Sequence, residues 1–579
     1  MDRILTILDT SGIQDYIFAS NRMRENIGAS YLVAEATETW LKEALSRIGA
    51  LIDPLSDQGL EHIPQAPAEL VYAGGGNAAI LFRARTDAVN FVTAYSRTLI
   101  RNAPGLPIKV IHHAFSWDND AFGGETGAFN TAMRQLRSTP PSWSPGALAG
   151  LSVTVACRST GLPAVDFDPD ETGRSVSALV LAQVRESVRK KADERLKTFL
   201  RRDPDDPNAP DPLDEYSFSR DFDDLGRSRD DVSYIAVIHA DGNGIGKRFR
   251  DCITEHDQAG VGSRTCITKL RKLSNAVNAV GTTALRNTIQ QRLLPALKEP
   301  HFRDFVHNLP QDDEGKPILP VRPLVYGGDD VTIVCDGRLG LTLATAFLEE
   351  FAQATETSPS EPATAGTEAK SAQTAETLPG GPATASAGIA IVKSHYPFSR
   401  AYELSAELTR SAKDYGKPKQ AAHGEPQEAP KAALDWHIAI SGISADLEQL
   451  RERDYAVPSI GGSLVLRPVL LEPDPTLPAA RSWPFVRDVI ETLKDGAEWR
   501  ERRNKVIALR EALRGGPDEV RRFRIRYGLE HIRLSNAPED DVGWIDAPNE
   551  SPRSRSLYFD AIELIDLYLA IPDQPVSQP

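Results

Sequence analysis

Three acidic residues in this chain are spaced to hold cations. Asp241 ends an apolar run, Ile235-Ala236-Val237-Ile238-His239-Ala240, which predicts a buried strand. Asp329 and Asp330 follow Gly327 and Gly328 between two further apolar runs, Leu324-Val325-Tyr326 and Val331-Thr332-Ile333-Val334. That is the pattern of a β-hairpin. Carboxylates gathered at one strand end repel one another in a site of low dielectric, and a divalent cation relieves the repulsion. Hard oxygen ligands suit Mg²⁺ or Mn²⁺, and Mg²⁺ is held by one or two carboxylates plus substrate phosphates. Two ions about 3.5–4 Å apart stabilise the attacking and leaving oxygens of an in-line displacement. Asp241, Asp329 and Asp330 are therefore the expected catalytic carboxylates and the expected ligands of two Mg²⁺ or Mn²⁺ ions.

The neighbouring residues suit a phosphate-bearing partner. Gly327 and Gly328 permit positive φ and leave no side chain in the way of a nucleotide. Gly242, Asn243, Gly244, Gly246 and Lys247 turn the strand after Asp241 into a helix, whose first N–H groups are expected to meet phosphate. This is not a Walker A loop, because the first glycine of that motif is absent and Arg248 stands at its Ser/Thr position. Lys413, in Ser411-Ala412-Lys413-Asp414-Tyr415-Gly416-Lys417 at a helix end, is expected to offset triphosphate charge.

An internal repeat positions these residues. Leu70-Val71-Tyr72-Ala73-Gly74-Gly75-Gly76-Asn77 followed by Ala78 to Leu81 is a second strand, glycine turn and strand. Upstream of it, Ile4 to Leu8 ends in Asp9 as Ile235 to Ala240 ends in Asp241. Each copy continues with a helix pattern and a further strand, Ile108 to His112 and Ser386 to Val392. The order strand, helix, hairpin, helix, strand predicts an α+β fold: two ferredoxin-like domains in tandem, helices on one face. In such a sheet the first and third strands are central neighbours, which brings Asp241 to Asp329 and Asp330. In the first copy Gly76 replaces Asp329 and Asn77 replaces Asp330, so only Asp9 survives and no metal site is expected there.

The expected organisation is a degenerate first domain at 1–150, an inter-domain segment at 151–225, the GGDD domain at 226–435 and a C-terminal domain at 436–579. Ser175 to Leu200 reads as one amphipathic helix. Arg202 to Asp231 is rich in Asp and Pro and reads as a solvated linker. Ala352 to Pro382, dominated by small and polar residues, reads as a disordered insertion within the GGDD domain. Past residue 435, Ser463 to Leu471 reads as a strand, and Trp483 to Leu513, Pro517 to Gly528 and Ser556 to Leu569 as helices.

At 579 residues the chain is expected to form about three to four domains. Its net charge of -15 repels polyphosphates unless cations intervene, and it gives no support for broad nucleic-acid binding. No run approaches the roughly 18 apolar residues of a membrane span, and a strand pattern begins at the N-terminus in place of a signal peptide. The cytoplasm is the expected compartment. Cys157, Cys252, Cys266 and Cys335 show no paired spacing, so neither disulfides nor zinc is expected.

These motifs resemble the large-subunit family of type III CRISPR effector complexes, the Csm/Cmr palm polymerases. The resemblance rests on paired palms of which only the second bears GGDD, on the Asp241-to-Lys247 turn, and on Gly12-Ile13-Gln14-Asp15-Tyr16-Ile17 with Arg22 to Leu32 in the first palm. It spans roughly residues 1–435 and implies metal-dependent conversion of ATP to cyclic oligoadenylate messengers in antiviral defence. It also implies other CRISPR-type subunits and guide RNA as partners. The HD nuclease domain with which family members often begin is expected to be missing. The family's inter-palm zinc motif is eroded at Cys157-Arg158-Ser159-Thr160-Gly161-Leu162-Pro163-Ala164, where Thr160 stands for a cysteine. The alternatives to catalysis are a nucleotide-binding scaffold subunit without turnover and a nucleotide sensor.

Overall fold

The computed structural model describes residues 2–571 except residue 11 and the segments 53–57, 140–152, 205, 207–208, 226–232, 357–377, 419–427, 440–445, 497–498, 501, 531–541 and 547–551. The middle of the expected insertion and the start of the expected GGDD domain thus lie outside the described residues.

The first sheet comprises β1 (Asp2–Asp9), β2 (Ala68–Gly74), β3 (Asn77–Phe82) and β4 (Lys109–Ser116), in the order β2-β3-β1-β4. That is the ferredoxin-like arrangement, with the first and third strands central. The second sheet repeats it with β5 (Tyr234–Gly242), β6 (Val321–Val325), β7 (Asp330–Asp336) and β8 (Ala385–Lys393), in the order β6-β7-β5-β8. The repeat extends to irregularity. The β2–β3 register slips between Leu70 and Tyr72, and the β6–β7 register slips between Pro323 and Val325, leaving Val71 and Leu324 bulged at matching distances from the two turns.

Helices were expected on one face of each sheet, but both faces are covered. The reason lies in the central strands: β1, β5 and β8 are buried at almost every position, so neither alternation of side chains is left to water. The covering elements cross between the halves. Leu5 and Ile7 of β1 pack with Ile267 and Leu270 of the long helix Val261–Asn287, which belongs to the second half of the chain. In return Phe18, from helix Ile13–Phe18 of the first half, stacks on Tyr402 with ring centroids 3.9 Å apart, in the layer over Ile235 and Val237.

Four further expectations are corrected. Ser175 to Leu200 is not one helix. Ser175–Val176 is strand, Ser177 caps Ala178–Val184, and Arg185 at φ −55°, ψ 131° breaks the chain before Glu186–Leu200. The described part of the Asp/Pro-rich stretch is packed: Leu213, Phe222 and Leu225 are buried, Asp211 and Asp221 cap single 3₁₀ turns, and Ser217–Phe218 pairs with Ile318–Leu319. The boundary expected at residue 435 falls inside a strand. Ala433–Ala439 (β9) runs parallel to β8 across the helix Phe398–Gly416, and Val469–Leu470 (β10) pairs with β9, giving six strands. Ser463 to Leu471 is accordingly two short strands in different sheets.

The C-terminal helices Trp483–Asp495, Arg503–Arg514 and Pro517–Tyr527 pack beside a small four-stranded sheet. They share one apolar core with the second sheet. The Cys157 turn is closed by its own backbone, with Cys157 N–H on Leu162 O at 2.7 Å and Gly161 N–H on Cys157 O at 2.9 Å. All four cysteines are free thiols, and three of them are buried. No helix among the described residues is long and apolar enough to cross a membrane.

Candidate active site at the Gly327–Asp330 turn

Asp241 and Asp330 are direct cross-strand partners in the antiparallel β5–β7 pair, and Ser386 of β8 flanks Asp241 on its other side. Opposed residues of such a pair share a face, so the two side chains issue side by side. Asp329 comes in from the turn: its carbonyl accepts the Gly242 N–H at 3.2 Å. The turn itself needs its glycines, for Gly327 and Gly328 sit at φ 109° and 85°. In the first sheet the equivalent cross-strand pair is Asp9 with Asn77.

The electrostatics follow from this crowding. Burial, then the Asp241 charge, pushes the Asp329 carboxyl up to about 7. The same two causes push Asp330 to about 7, while the Lys413 ammonium pulls both down. Asp330 Oδ1 is buried and has no hydrogen-bond partner, although 45% of the side chain is exposed. His239 lies two residues before Asp241. Its Nδ1 is 3.4 Å from that orphaned oxygen but hydrogen-bonds Thr332 Oγ1, at 3.3 Å. Burial lowers the His239 pKa to about 4, so the ring is neutral at ordinary pH.

Lys413, on helix Phe398–Gly416, does not stand clear for a ligand. Its ammonium donates to Asp241 Oδ2 and, at 2.9 Å, to Gly242 O. Asn243 is also committed. Its N–H bonds Thr384 O at 2.7 Å, its amide Nδ2 bonds Thr384 Oγ1 at 2.9 Å, and its Oδ1 accepts from Ser386 Oγ at 3.1 Å. Asn243 fastens the turn to the strand beyond. Gly244 caps the helix Ile245–Thr254 with φ 74°, and Gly244 and Gly246 are exposed at its start. Lys247, one position further on, is exposed as well. Arg248, in the position a Walker motif gives to Ser or Thr, ties down the carbonyls of Pro379, Gly381 and Pro382.

Sequence reasoning missed His239 and two residues of helix Val261–Asn287. Asn278 Oδ1 accepts the Gly328 N–H at 3.1 Å, and Gly281 lies beneath the Gly328 carbonyl. The only local hint was a glycine in a helix interior, where it costs about 1 kcal/mol unless something approaches closely.

The donor set is all oxygen, which fits a hard divalent cation, and the orphaned Asp330 Oδ1 gives such an ion a ligand with no other call on it. Among the described residues no group of three or more His, Cys, Asp or Glu is set as a metal site. The three carboxylates are therefore no closed cage, and a cation here would need oxygens from a substrate, as Mg²⁺ commonly takes.

A search of curated proteins finds no match to the chain. Among solved structures, Csm1 of T. onnurineus is similar at 15% identity and a TM-score of 0.48, over 98% of this chain and 69% of that one. A Csm1-Csm4 cassette in complex with AMPPNP is similar at 15% identity and 0.47, and one in complex with cA4 at 15% and 0.46, each with the same shares covered. The family model for the Cas10/Cmr2 second palm domain matches residues 234–422, the span that contains β5, the Gly327–Asp330 turn, β8 and Lys413. Over residues 234–422 this chain is similar to the second palm domain of the Cas10/Cmr2 family.

Proposed function

We propose that the chain is a palm-type nucleotidyltransferase that converts ATP to a cyclic nucleotide or oligonucleotide messenger in antiviral defence. The observation that carries the reading is the in-register pairing of Asp241 with Asp330, beside Asp329, in a palm of the Cas10/Cmr2 type. In the reaction the 3′-hydroxyl of one ATP loses its proton to water and its oxygen bonds to the α-phosphorus of another. The bond from that phosphorus to the β-phosphate bridging oxygen breaks, and pyrophosphate leaves with the electron pair.

Asp241, Asp329 and Asp330 are the residues that would hold two Mg²⁺ or Mn²⁺ ions. Bound there, such ions acidify the attacking hydroxyl and stabilise the leaving oxygen. The chain's own groups do the positioning. The exposed start of helix Ile245–Thr254, at Gly244 and Gly246, offers N–H groups to phosphate with Lys247 beside them. Gly327 and Gly328 keep the approach clear of side chains. Lys413 holds Asp241; were that carboxylate to ligate a cation, the ammonium would be available to the triphosphate. Replacing Lys413 by Met is expected to raise the KM for ATP about tenfold, the worth of one charge-assisted hydrogen bond at roughly 1.5 kcal/mol. Steady-state kinetics checks it, and an unchanged KM would remove Lys413 from the nucleotide site.

Incubation with radiolabelled ATP and Mn²⁺ tests the function itself. Wild type is expected to form a labelled oligonucleotide or cyclic product and pyrophosphate. Asp329→Ala combined with Asp330→Ala is expected to form neither. ATP bound tightly without product points instead to a sensor. A palm without turnover that co-purifies with guide RNA and other CRISPR-type subunits is a scaffold.

A further inference from the structure

The helix Val261–Asn287 touches both glycine turns with one face. Arg264, Arg271, Ser274, Asn278 and Gly281 follow at steps of seven, three, four and three, which keeps them aligned along the helix. At the first sheet the helix is bolted to β2. Arg271 donates to Leu70 O at 2.7 Å, to Val71 O at 3.2 Å, where the strand bulges, and to Glu69 Oε1 at 2.8 Å. Arg264 adds a second guanidinium on Glu69, at 2.9 Å. Glu69 is 1% exposed; burial pushes its carboxyl up, but the two guanidiniums outweigh that and hold it below its ordinary value. Ser274 Oγ then lies 3.7 Å from where a Cβ on Gly74 would stand, at the first palm's turn.

One helical turn further on the same face reaches the second palm. Asn278 Oδ1 takes the Gly328 N–H at 3.1 Å. A Cβ on Gly281 would stand 1.6 Å from Gly328 O, so the turn rests directly on the helix backbone. The carbonyls of the first palm's hairpin and the amide of the second palm's turn are thus fixed to one rigid rod. Val261–Asn287 is one continuous α-helix without proline, the commonest cause of a sharp kink.

The geometry points to this helix as a strut through which the first palm sets the position of the Gly327–Asp330 turn, with Asn278 and Gly281 as positioning residues. The inference deepens the proposed function and rests on that turn hosting metal-dependent phosphoryl chemistry. It also gives the degenerate palm a task that needs no metal ligands: its β2 hairpin is the abutment of the strut.

Four variants test it, with turnover of ATP and Mn²⁺ affinity by electron paramagnetic resonance read separately. Gly281→Ala drives a methyl into Gly328 O and is expected to cost about 10²-fold in kcat, the scale of a 1 Å misplacement at a reacting centre. Asn278→Ala is expected to weaken turnover or Mn²⁺ binding about tenfold, as loss of an outer hydrogen bond to a metal site does. Asn278→Asp keeps an acceptor oxygen and is expected to recover most of the loss. Arg271→Met frees the far end and is expected to lower kcat while the KM for ATP stays within about threefold. Circular dichroism establishes that each variant is folded.

Folded Asn278→Ala and Arg271→Met proteins with wild-type kcat and wild-type Mn²⁺ affinity would overturn the strut, whether or not Gly281→Ala folds. Lower melting temperatures with unchanged kcat per folded molecule would reduce the contacts to plain packing and overturn it equally. A wild type that neither binds Mn²⁺ nor turns over ATP would overturn the function first, and the strut with it.

Discussion

Asp241→Asn is expected to cut ATP turnover by about 10³-fold or more, whereas Asp9→Asn leaves it within about threefold. The two residues end equivalent central strands, so local structure does not separate them. What separates them is the partner across the ladder. Asp241 faces Asp330, with Asp329 behind it, while Asp9 faces Asn77. Under the proposed function three carboxylates in one half-buried corner hold cations, a task for which one carboxylate opposite an amide is too little. Asp9 already has a simpler electrostatic life: burial raises its carboxyl and the Lys109 ammonium across the β1–β4 pair lowers it. Losing the charge of Asp241 also leaves the Lys413 ammonium with neutral acceptors in place of its ion-pair partner, so the proposed site loses a carboxylate ligand and its lysine loses a counter-charge at once. Initial rates at saturating ATP and Mn²⁺ measure the contrast, with circular dichroism as the folding control. Equal losses in both variants would mean that the first palm contributes a metal ligand, contrary to the register of its strands.

The site was legible where chemistry and local pattern coincide. An Asp at the end of an apolar strand and a Gly-Gly-Asp-Asp turn announce themselves one element at a time, and the repeat supplies the topology that joins them. Even the substitution of Asn77 for Asp330 could be read by aligning the two turns, and the strand registers place those residues identically. What stayed hidden is what depends on distant chain. Nothing near residue 243 says that its amide will be spent on Thr384 and Ser386, 141 and 143 residues away. It therefore reads as a ligand residue when it is a fastener. The commitment of Lys413 to Asp241 is hidden in the same way. The covering of both faces of each sheet could have been read from the double-sided apolarity of β1 and β5. Which helices do the covering could be read only in part, because Val261–Asn287 against β1 and Ile13–Phe18 beside Tyr402 come from the opposite half of the chain. Arg185 breaks a helix with no glycine or proline to mark it.

The crowding that suits this corner to cations should also make it a weak point of the metal-free fold, and pH exposes that. Asp329 and Asp330 carry carboxyls raised to about 7 in the folded protein, against 3.8 for an ordinary aspartate. Between those values the folded state binds more protons than the unfolded one, so stability falls as pH rises from about 4 to about 7 and levels off above. Asparagine does not titrate. Asp329→Asn combined with Asp330→Asn is therefore expected to flatten this fall and to leave the metal-free protein more stable than wild type at pH 8. Divalent ions reverse the balance, because they bind the deprotonated pair. At pH 8 and about a hundredfold excess over its Kd, Mg²⁺ is expected to stabilise wild type by about 2.7 kcal/mol. In thermal melts that is about 5–10 °C for a domain of this size. At pH 5 protons hold the carboxylates and the Mg²⁺ shift should nearly vanish, while the double variant should show none at either pH. A shift of equal size at pH 5 and pH 8, or one that survives in the double variant, would place the ion elsewhere. Two aspartates that weaken the resting fold and are relieved by a cation would accord with the proposed function, because ligands already satisfied by the protein would have nothing left to offer a metal.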